Sequence, residues 1–314
     1  MKKTLLTICL VWMCFSLSAQ KIIDLSGKWS FSIDRQDNGE KEKWFSHTLN
    51  DCINLPGSMP EKLKGDEVTA KTQWTGSLYD SSYYYNPYME KYRKEGNIKF
   101  PFFLTPDKHY VGAAWYQKEV NIPADWKGER ILLFLERPHI ETTVWVNGQK
   151  TGMQNSLCVP HQYDITHYVR PGKCTITIRV DNRIKEINVG PDSHSITDQT
   201  QGNWNGIVGR ICLQTTPKTY FDDIQIYPEP EQKLARVKVV IKGTGTAKVK
   251  LSAESFNTDK KHIVPAIQQE IKLNKGVTET EMVLPMGNDM LLWDEFHPAL
   301  YKLKAEVTNG KKLR

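Results

Sequence analysis

Short stretches of alternating apolar and polar residues surround one strongly apolar hairpin. Ile131 to Leu135 is an unbroken apolar run, which is typical of a strand buried on both faces. A turn at Arg137-Pro138 is predicted to lead into a β-branched strand, Glu141 to Val146, that carries Trp145 into the core. Asn147-Gly148 follows, and this dipeptide is the strongest short hairpin signal. The pattern predicts the centre of an antiparallel β-sandwich.

The same alternation predicts strands on both sides of this hairpin. Trp29, Phe31 and Ile33 alternate with serines, which indicates a strand with one buried face. A short turn of helix is predicted within His161 to Val169, and no segment shows ten or more residues at helical period. The other predicted elements are an extended segment and turn at Asn54 to Ser58 and strands at Ala114 to Val120, Thr175 to Val180 and Gly206 to Gln214.

Pro217 and its polar neighbours mark a domain boundary. Beyond it, several short alternating segments with polar outer faces favour a second sandwich. The predicted fold class is therefore all-β, with a leader at residues 1–19, a first sandwich at 20–218 and a second at 219–314. The predicted strands of the second sandwich contain Ile224 and Ile226, Val237 to Ile241, Ala247 to Leu251, Ile271 to Leu273 and Tyr301 to Val307.

Two long segments lack strand alternation, and long loops of this kind are either functional or flexible. The segment 181–205 gathers a carboxylate, amides and an indole, which are the groups that bind sugar hydroxyls and cover an apolar sugar face. A loop that caps itself and plugs the core with its indole is the alternative. The tyrosine-rich segment 70–98 is either a stacking platform for polysaccharide or a packing surface between domains. The predicted substrate-binding residues are Asp198, Gln201, Asn203 and Trp204.

Charge and the first residues narrow the class of protein. The formal net charge is +6, and the basic residues are scattered singly, which argues against nucleic acid as a partner. Lys2-Lys3, the apolar stretch Leu5 to Leu17 and Ser18-Ala19 are typical of a secretory signal, so we expect an exported protein, periplasmic or secreted, without a membrane span. A lipoprotein attached through Cys14 is the alternative, which bulky Met13 disfavours.

Neither metal nor cofactor chemistry is predicted. Cys52, Cys158, Cys174 and Cys212 follow the leader without the spacing of a metal motif, and their pairing is left open. A Ser/His/Asp hydrolase is disfavoured because the chain has no Gly-x-Ser-x-Gly elbow. The histidines have no ligand spacing and are predicted to be structural or exposed: His139, His161 and His167.

Several motifs in order resemble one enzyme family. GKWSF, then the run WYQKEVNIPADWKGERILLFLERPHIETTVWVNGQKTG, then NWNGIVGRICL are similar to the N-terminal sugar-binding domain of glycoside hydrolase family 2. Phe296 to Tyr301 resembles a Pro-x-Leu-Tyr signature in the family's next domain. The resemblance implies a jelly-roll domain and an immunoglobulin-like sandwich, followed in the family by a catalytic (β/α)₈ barrel. It also implies that the loop at 194–206 reaches the barrel mouth and touches substrate.

The chain also departs from this family's pattern. The family's two catalytic carboxyl groups are barrel glutamates, one after an asparagine, but the sequence has no Asn-Glu dipeptide. A barrel needs about 250 residues, so no catalytic residue is assigned. We expect the non-catalytic N-terminal portion of a β-galactosidase-like family 2 enzyme, truncated within its second sandwich after Asn309-Gly310. The alternatives are a free-standing exported carbohydrate-binding protein and an interaction module without sugar affinity.

Overall fold

A computed structural model describes residues 21–74, 82–99, 105–185, 198 and 202–309. These residues divide into two compact units, Lys21–Thr216 and a second that begins at Pro217. Helix is scarce: α1 spans Ser82–Tyr85, and four short 3-10 helices span Trp44–Ser46, Pro87–Tyr92, Ala124–Trp126 and Pro230–Gln232. Among the described residues, no helix has the length and apolarity needed to cross a bilayer.

The first unit is a sandwich of two antiparallel sheets. One sheet has the order β1-β13-β8-β11, with β4 also paired to β13, and the other has the order β10-β9-β12-β7-β2-β3. The strands β5 and β6 form a separate small pair. The strands are β1 (Ile22–Asp24), β2 (Gly27–Asp34), β3 (Asp51–Leu55), β4 (Gly57–Ser58), β5 (Asp66–Glu67), β6 (Lys108–His109), β7 (Ala113–Ile122), β8 (Arg130–Pro138), β9 (Glu141–Val146), β10 (Gln149–Asn155), β11 (His161–Asp164), β12 (Gly172–Asp181) and β13 (Gly206–Thr216).

The core lies between these two sheets. Leu133 of β8 and Ile178 of β12 belong to one buried cluster, and both side chains are fully buried. A smaller cluster covers the outer face of the second sheet, where Trp115 and Trp145 pack at 5.0 Å between ring centroids. Trp145 is buried, as predicted, but in this outer cluster and not in the core between the sheets. This is the all-β jelly-roll sandwich that the sequence predicts.

The hairpin of β9 and β10 forms as predicted, but the strand before it, β8, lies in the other sheet. Asn147 and Gly148 adopt φ values of 50° and 79° and connect β9 to β10. The predicted turn at Arg137-Pro138 is wrong, because β8 continues through Pro138 and pairs there with Ile207 of β13. The chain therefore crosses from one sheet to the other between β8 and β9. An apolar run followed by a β-branched run does not reveal whether two strands pair or face each other across a core.

The predicted helical turn within His161 to Val169 is also wrong at its start. His161–Asp164 is strand β11, which pairs with β8 through His161↔Leu135 and Tyr163↔Leu133. His161 and Tyr163 are buried, while the two residues that alternate with them are exposed. This is strand alternation over only four residues, too short a segment for its period to be distinguished from that of a helix.

The second unit is an immunoglobulin-like sandwich built mainly from one very long hairpin. Its strands β15 and β16 have 23 residues each; β15 replaces two of the shorter strands expected from sequence, and β16 extends well beyond the one expected at Ile271 to Leu273. Ala235 and Ala253 lie in one buried cluster although 18 residues would span about 60 Å when extended. The hairpin therefore folds back on itself at an irregularity between Gly243 and Gly245. The strands are β14 (Tyr220–Glu229), β15 (Leu234–Phe256), β16 (Ile263–Pro285) and β17 (Leu300–Asn309).

Candidate functional site

Strand ends from both sheets of the first unit meet at one rim of the sandwich. The end of β12 pairs with the starts of β7 and β9 through Asp181↔Ala113 and Asp181↔Glu141. From the other sheet, the start of β13 lies beside β4 and the end of β8. In the connection from β8 to β9, the amide of His139 donates to Gly206 O and the amide of Ile140 donates to Asp181 O, so this connection is bonded to both sheets at this end. The long segment between β12 and β13 starts and ends at this rim.

Asp198 is the first predicted site residue in this segment, and its side chain is buried. It is 4 % exposed, and its carboxylate Oδ1 accepts a hydrogen bond from the Asn203 amide at 2.6 Å. Its other oxygen, Oδ2, lies 4.0 Å from Nε2 of His109 on β6. The carboxylate therefore fixes the course of its own loop and faces a histidine from a different part of the chain.

Asn203 is also buried, and its side-chain amide holds the loop against the end of β12. Its Oδ1 accepts a hydrogen bond from Asn182 Nδ2 at 3.0 Å, and its Nδ2 donates to Asn182 O at 3.1 Å. Asn182 in turn donates to Tyr110 O and accepts from the Gly112 amide, at 2.8 Å each. Through these contacts, the side-chain amide of Asn203 connects its loop with the chain that follows β12.

Trp204 is half-buried at the same rim, against His139. The two rings lie 4.6 Å apart, and Nδ1 of His139 donates to the carbonyl oxygen of Trp204 at 2.8 Å. Burial lowers the pKa of His139 to about 4, so its imidazole is neutral near pH 7. Gln201 lies outside the described residues. The structure thus brings Asp198, Asn203 and Trp204 together, and their role in substrate binding stays a prediction.

Asn205 anchors the far end of the loop in the core. It is fully buried and donates from Nδ2 to Gly112 O and Val180 O, at 2.9 Å each. Its Oδ1 accepts a hydrogen bond from the Tyr116 hydroxyl at 2.7 Å. Three of the four hydrogen-bonding positions of the amide are therefore filled inside the protein, and the backbone just before β13 is held in place.

An ion-pair cluster stiffens the rim beside this loop. Arg179 is 7 % exposed and contacts carboxylates from three segments, at 2.6, 3.4 and 3.0 Å. Burial alone would raise the pKa of Asp181, but hydrogen bonds from Arg183 and Lys185 and the charge of Arg179 hold it well below its usual range. The cluster consists of Arg179, Arg183 and Lys185 with Asp37, Glu141 and Asp181.

The tyrosine-rich segment presents both buried and exposed rings. The Tyr83 side chain is buried, and its hydroxyl donates to Tyr92 O at 2.7 Å. Tyr85 and Tyr88 are 71 % and 85 % exposed. Only part of the segment is described, and its role as a stacking platform or as a packing surface stays a prediction.

A cleft of about 620 Å³ opens beside the small β5-β6 pair. Trp74 packs on His109 along its wall, with 4.6 Å between ring centroids. Arg35 and Asp66 form an ion pair in the same lining, so the cleft combines an aromatic surface with charged hydrogen-bonding groups. No group of three or more histidine, cysteine or acidic side chains suited to a metal ion occurs within the described ranges.

Sequence reasoning missed the residues that organise this site. His109, Asn182 and Asn205 are separated by 73 and 23 positions, and no motif joins them. Asn182 directly follows the apolar strand β12, and Asn205 directly precedes β13. An asparagine at the end of a buried strand was therefore the available signal, because a buried amide there has to find partners.

Two family models match the chain in succession. The model described as Glycosyl hydrolases family 2, sugar binding domain, matches residues 22–217, and the model described as Glycosyl hydrolases family 2 matches residues 219–314. Together they cover both units of the described structure. The first match alone covers more than half of the chain.

Characterised relatives and a solved structure agree with these matches. Human β-glucuronidase is 24 % identical over 91 % of this chain and 41 % of its own length. A β-galactosidase of Thermoanaerobacter pseudethanolicus is 23 % identical over 67 % of this chain and 28 % of its own length. The structure of a β-glucuronidase from an uncultured Clostridium sp. superposes with a TM-score of 0.58 at 20 % identity, covering 93 % of this chain and 43 % of that one. The chain thus spans about two fifths of the length of the human relative.

Proposed function

Because this chain belongs to glycosyl hydrolase family 2, we propose that it works as the non-catalytic N-terminal part of an enzyme that hydrolyses O-glycosyl bonds. In this role its two sandwiches support a catalytic barrel, and the rim loop that ends at Asn205 forms part of the substrate pocket. Carbohydrate is the ligand, and the barrel is the partner.

The observation that carries this proposal is the rigid attachment of the rim loop. Oδ1 of Asp198 and the side-chain amides of Asn203 and Asn205 form buried hydrogen bonds at the base of the loop. A loop held in this way presents its remaining groups without an ordering cost when a ligand binds. Trp204 is the half-buried member of the set and so the group suited to direct contact with a sugar face. The buried Asp198 is suited to holding the loop in position.

We propose a β-glucuronide as the first substrate to test, with a β-galactoside second. Support comes from the relatives: the human protein is a β-glucuronidase and the Thermoanaerobacter protein is a β-galactosidase. Both are less than 25 % identical to this chain, so the sugar itself has to be determined by assay.

The test is a kinetic comparison on the complete product of the gene. We expect it to hydrolyse p-nitrophenyl β-D-glucuronide, and we expect Trp204→Ala to lower kcat/KM about tenfold, as loss of one sugar-stacking contact does. Trp204→Phe keeps an aromatic face and should recover most of the loss. Trp293→Ala, which removes a 61 % exposed indole from the second unit, is the matched control and should leave kcat/KM unchanged.

Other outcomes identify the alternatives. A gene product that binds glycosides in calorimetry but hydrolyses none would be a free-standing carbohydrate-binding protein. One that neither binds nor hydrolyses them would be an interaction module, and the hydrolase proposal would be abandoned. Equal kcat/KM for Trp204→Ala and wild type would leave a hydrolase whose rim loop does not touch substrate.

We also propose that the protein is exported, on the strength of the signal pattern in residues 1–19. The mass of the protein purified from its own cell envelope or medium tests this proposal. We expect a chain that starts at Gln20. A protein that retains its first 19 residues inside the cell would contradict it.

A further inference from the structure

His109 occupies an unusual position under the rim loop. Its side chain is 6 % exposed, and its Nε2 finds no hydrogen-bond partner among the described residues. The nearest carboxylate oxygen is Oδ2 of Asp198 at 4.0 Å, which is too long for a direct hydrogen bond. Trp74 covers the imidazole, with 4.6 Å between ring centroids. A buried ring nitrogen in this state is costly, so its protonation state matters to its surroundings.

The contacts around His109 form a nearly closed ring. Tyr110, the next residue, accepts a hydrogen bond through its carbonyl from Asn182, and Asn182 exchanges two hydrogen bonds with Asn203. The backbone amide of Asn203 donates to Asp198, and Asp198 faces His109. Of these five links, only the step between His109 and Asp198 is neither covalent nor a hydrogen bond. A proton on Nε2 would supply the donor that this step lacks.

We propose that His109 is a protonation-sensitive positioning residue, which fastens Asp198 and the rim loop when its imidazole becomes charged. Its consequence for catalysis rests on the proposed function, because the rim loop matters to an enzyme only if it shapes a sugar pocket. When Nε2 carries no proton, as in the neutral tautomer protonated on Nδ1, the ring stays open at the 4.0 Å step. In the charged form Nε2 donates to the carboxylate, and the Asn203 amide is held more firmly on the other oxygen.

Several charged groups affect the pKa of His109. Burial lowers the pKa of His109, while the negative charges of Asp198 and then Asp66 raise it in part. Asp66 lies opposite His109 in the β5-β6 pair and is itself ion-paired with Arg35. The neighbouring register position holds the ion pair of Lys108 with Glu67, which carries no net charge. The pKa of His109 therefore lies below its usual value, and the imidazole takes up its proton only as the pH falls.

The experiment uses the 314-residue chain, with no sugar and no catalysis. Histidine ring resonances are followed by NMR from pH 7.5 to pH 4, and His109 is assigned as the signal lost in His109→Gln. Exchange of the Asn203 amide hydrogen, corrected for its intrinsic rate at each pH, is measured in parallel. We expect its protection to rise about tenfold as His109 takes up its proton, in line with a hydrogen bond to a charged group.

Two variants separate the carboxylates that face the imidazole. Asp198→Asn should lower the pKa of His109 and abolish the step in Asn203 protection. Asp66→Asn, the matched control, should also lower that pKa but preserve the step, which moves with it. A His109 titration unaffected by Asp198→Asn, or Asn203 protection that ignores the titration in wild type, would overturn the proposal. If Asp198→Asn does not fold, the wild-type titration alone still decides.

These results are independent of the enzymatic assay. A gene product without glycosidase activity would remove the consequence for catalysis but leave the coupling of His109 to the rim loop as measured. Conversely, an active hydrolase in which Asn203 protection stays constant would keep the proposed function and reject the role of His109.

Discussion

The indole Nε1 of Trp115 donates a hydrogen bond to Oδ2 of Asp34 at 2.9 Å, and both side chains are buried. The same carboxylate oxygen accepts from the Gly39 amide, and Oδ1 accepts from the Asn38 amide, at 2.9 Å each. One carboxylate thus joins the end of β2, the turn after it and the tryptophan cluster on the outer face of the sheet.

Replacing this carboxylate should destabilise the first unit. We expect Asp34→Ala to lower the free energy of unfolding by about 2 to 4 kcal/mol, because it leaves a buried indole N–H and two amides without their acceptor. Urea denaturation followed by tryptophan fluorescence measures this change. Asp51→Ala removes a half-exposed carboxylate paired with Lys64 and should cost less than about 1 kcal/mol. Equal losses for the two variants would contradict this account.

The substitution Asn205→Asp tests the hydrogen bonds that the Asn205 amide donates, because it keeps the shape of the side chain and removes its N–H groups. Asn205→Asp places a carboxylate oxygen against Gly112 O and Val180 O, which now receive hydrogen bonds from the amide. We expect Asn205→Ala to cost about 3 kcal/mol and Asn205→Asp to cost more at pH 7. Acidification should narrow the gap between the two variants, because a protonated carboxyl can donate to one of the two carbonyls. Thermal unfolding at pH 7 and pH 4.5 compares them, and an Asp variant as stable as wild type would refute the argument.

The stability of the first unit should fall in mildly acidic solution. Burial lowers the pKa of His139 from 6.5 to about 4. Between these two pH values the imidazole is protonated in the unfolded chain and neutral in the folded chain. The neutral histidine thus stabilises the fold above pH 6.5, and we expect up to about 3 kcal/mol to be lost as the pH falls to about 4.

The measurement is the free energy of unfolding in urea at several values between pH 7 and pH 4. His139→Gln should reduce the slope by as much as about 1.4 kcal/mol per pH unit, the contribution of one proton. His167→Gln removes an exposed histidine and serves as the control, with the slope of wild type expected. A wild-type slope in His139→Gln would assign the acid sensitivity to other groups.

The cysteines should divide by accessibility. Cys52 and Cys158 are exposed and free, whereas Cys174 and Cys212 are free and buried. Burial also raises the pKa of Cys174 to about 11, which disfavours its reactive thiolate. We expect iodoacetamide to modify the first pair in the native protein and all four in urea, as read by peptide mass spectrometry. Modification of Cys174 at the rate of Cys158 under native conditions would be inconsistent with the structure.

The sequence predicted strands far better than it predicted their partners. Period-two alternation located β2, β12 and β17, because each packs one face against a core. Pairing depends on residues distant in sequence, and so the move of the chain between sheets after Pro138 was missed. For the rim, composition identified the loop of Asp198 and Trp204. The asparagines that hold it act through side-chain hydrogen bonds, which leave no periodic pattern in the sequence.

In the folded-back hairpin of the second unit, the same alternation of buried and exposed residues continues on both sides of the bend. Val237 and Ile241 before the bend and Val249 after it are all odd-numbered and all fully buried. A one-residue insertion within either arm of β15 would therefore turn every later core side chain of that strand toward solvent. At the bend between Gly243 and Gly245, where the pairing register already shifts, the same insertion has a place to be absorbed. Tolerance of length variation in β15 is thus concentrated at its two irregularities, between Gly243 and Gly245 and between Leu251 and Ala253.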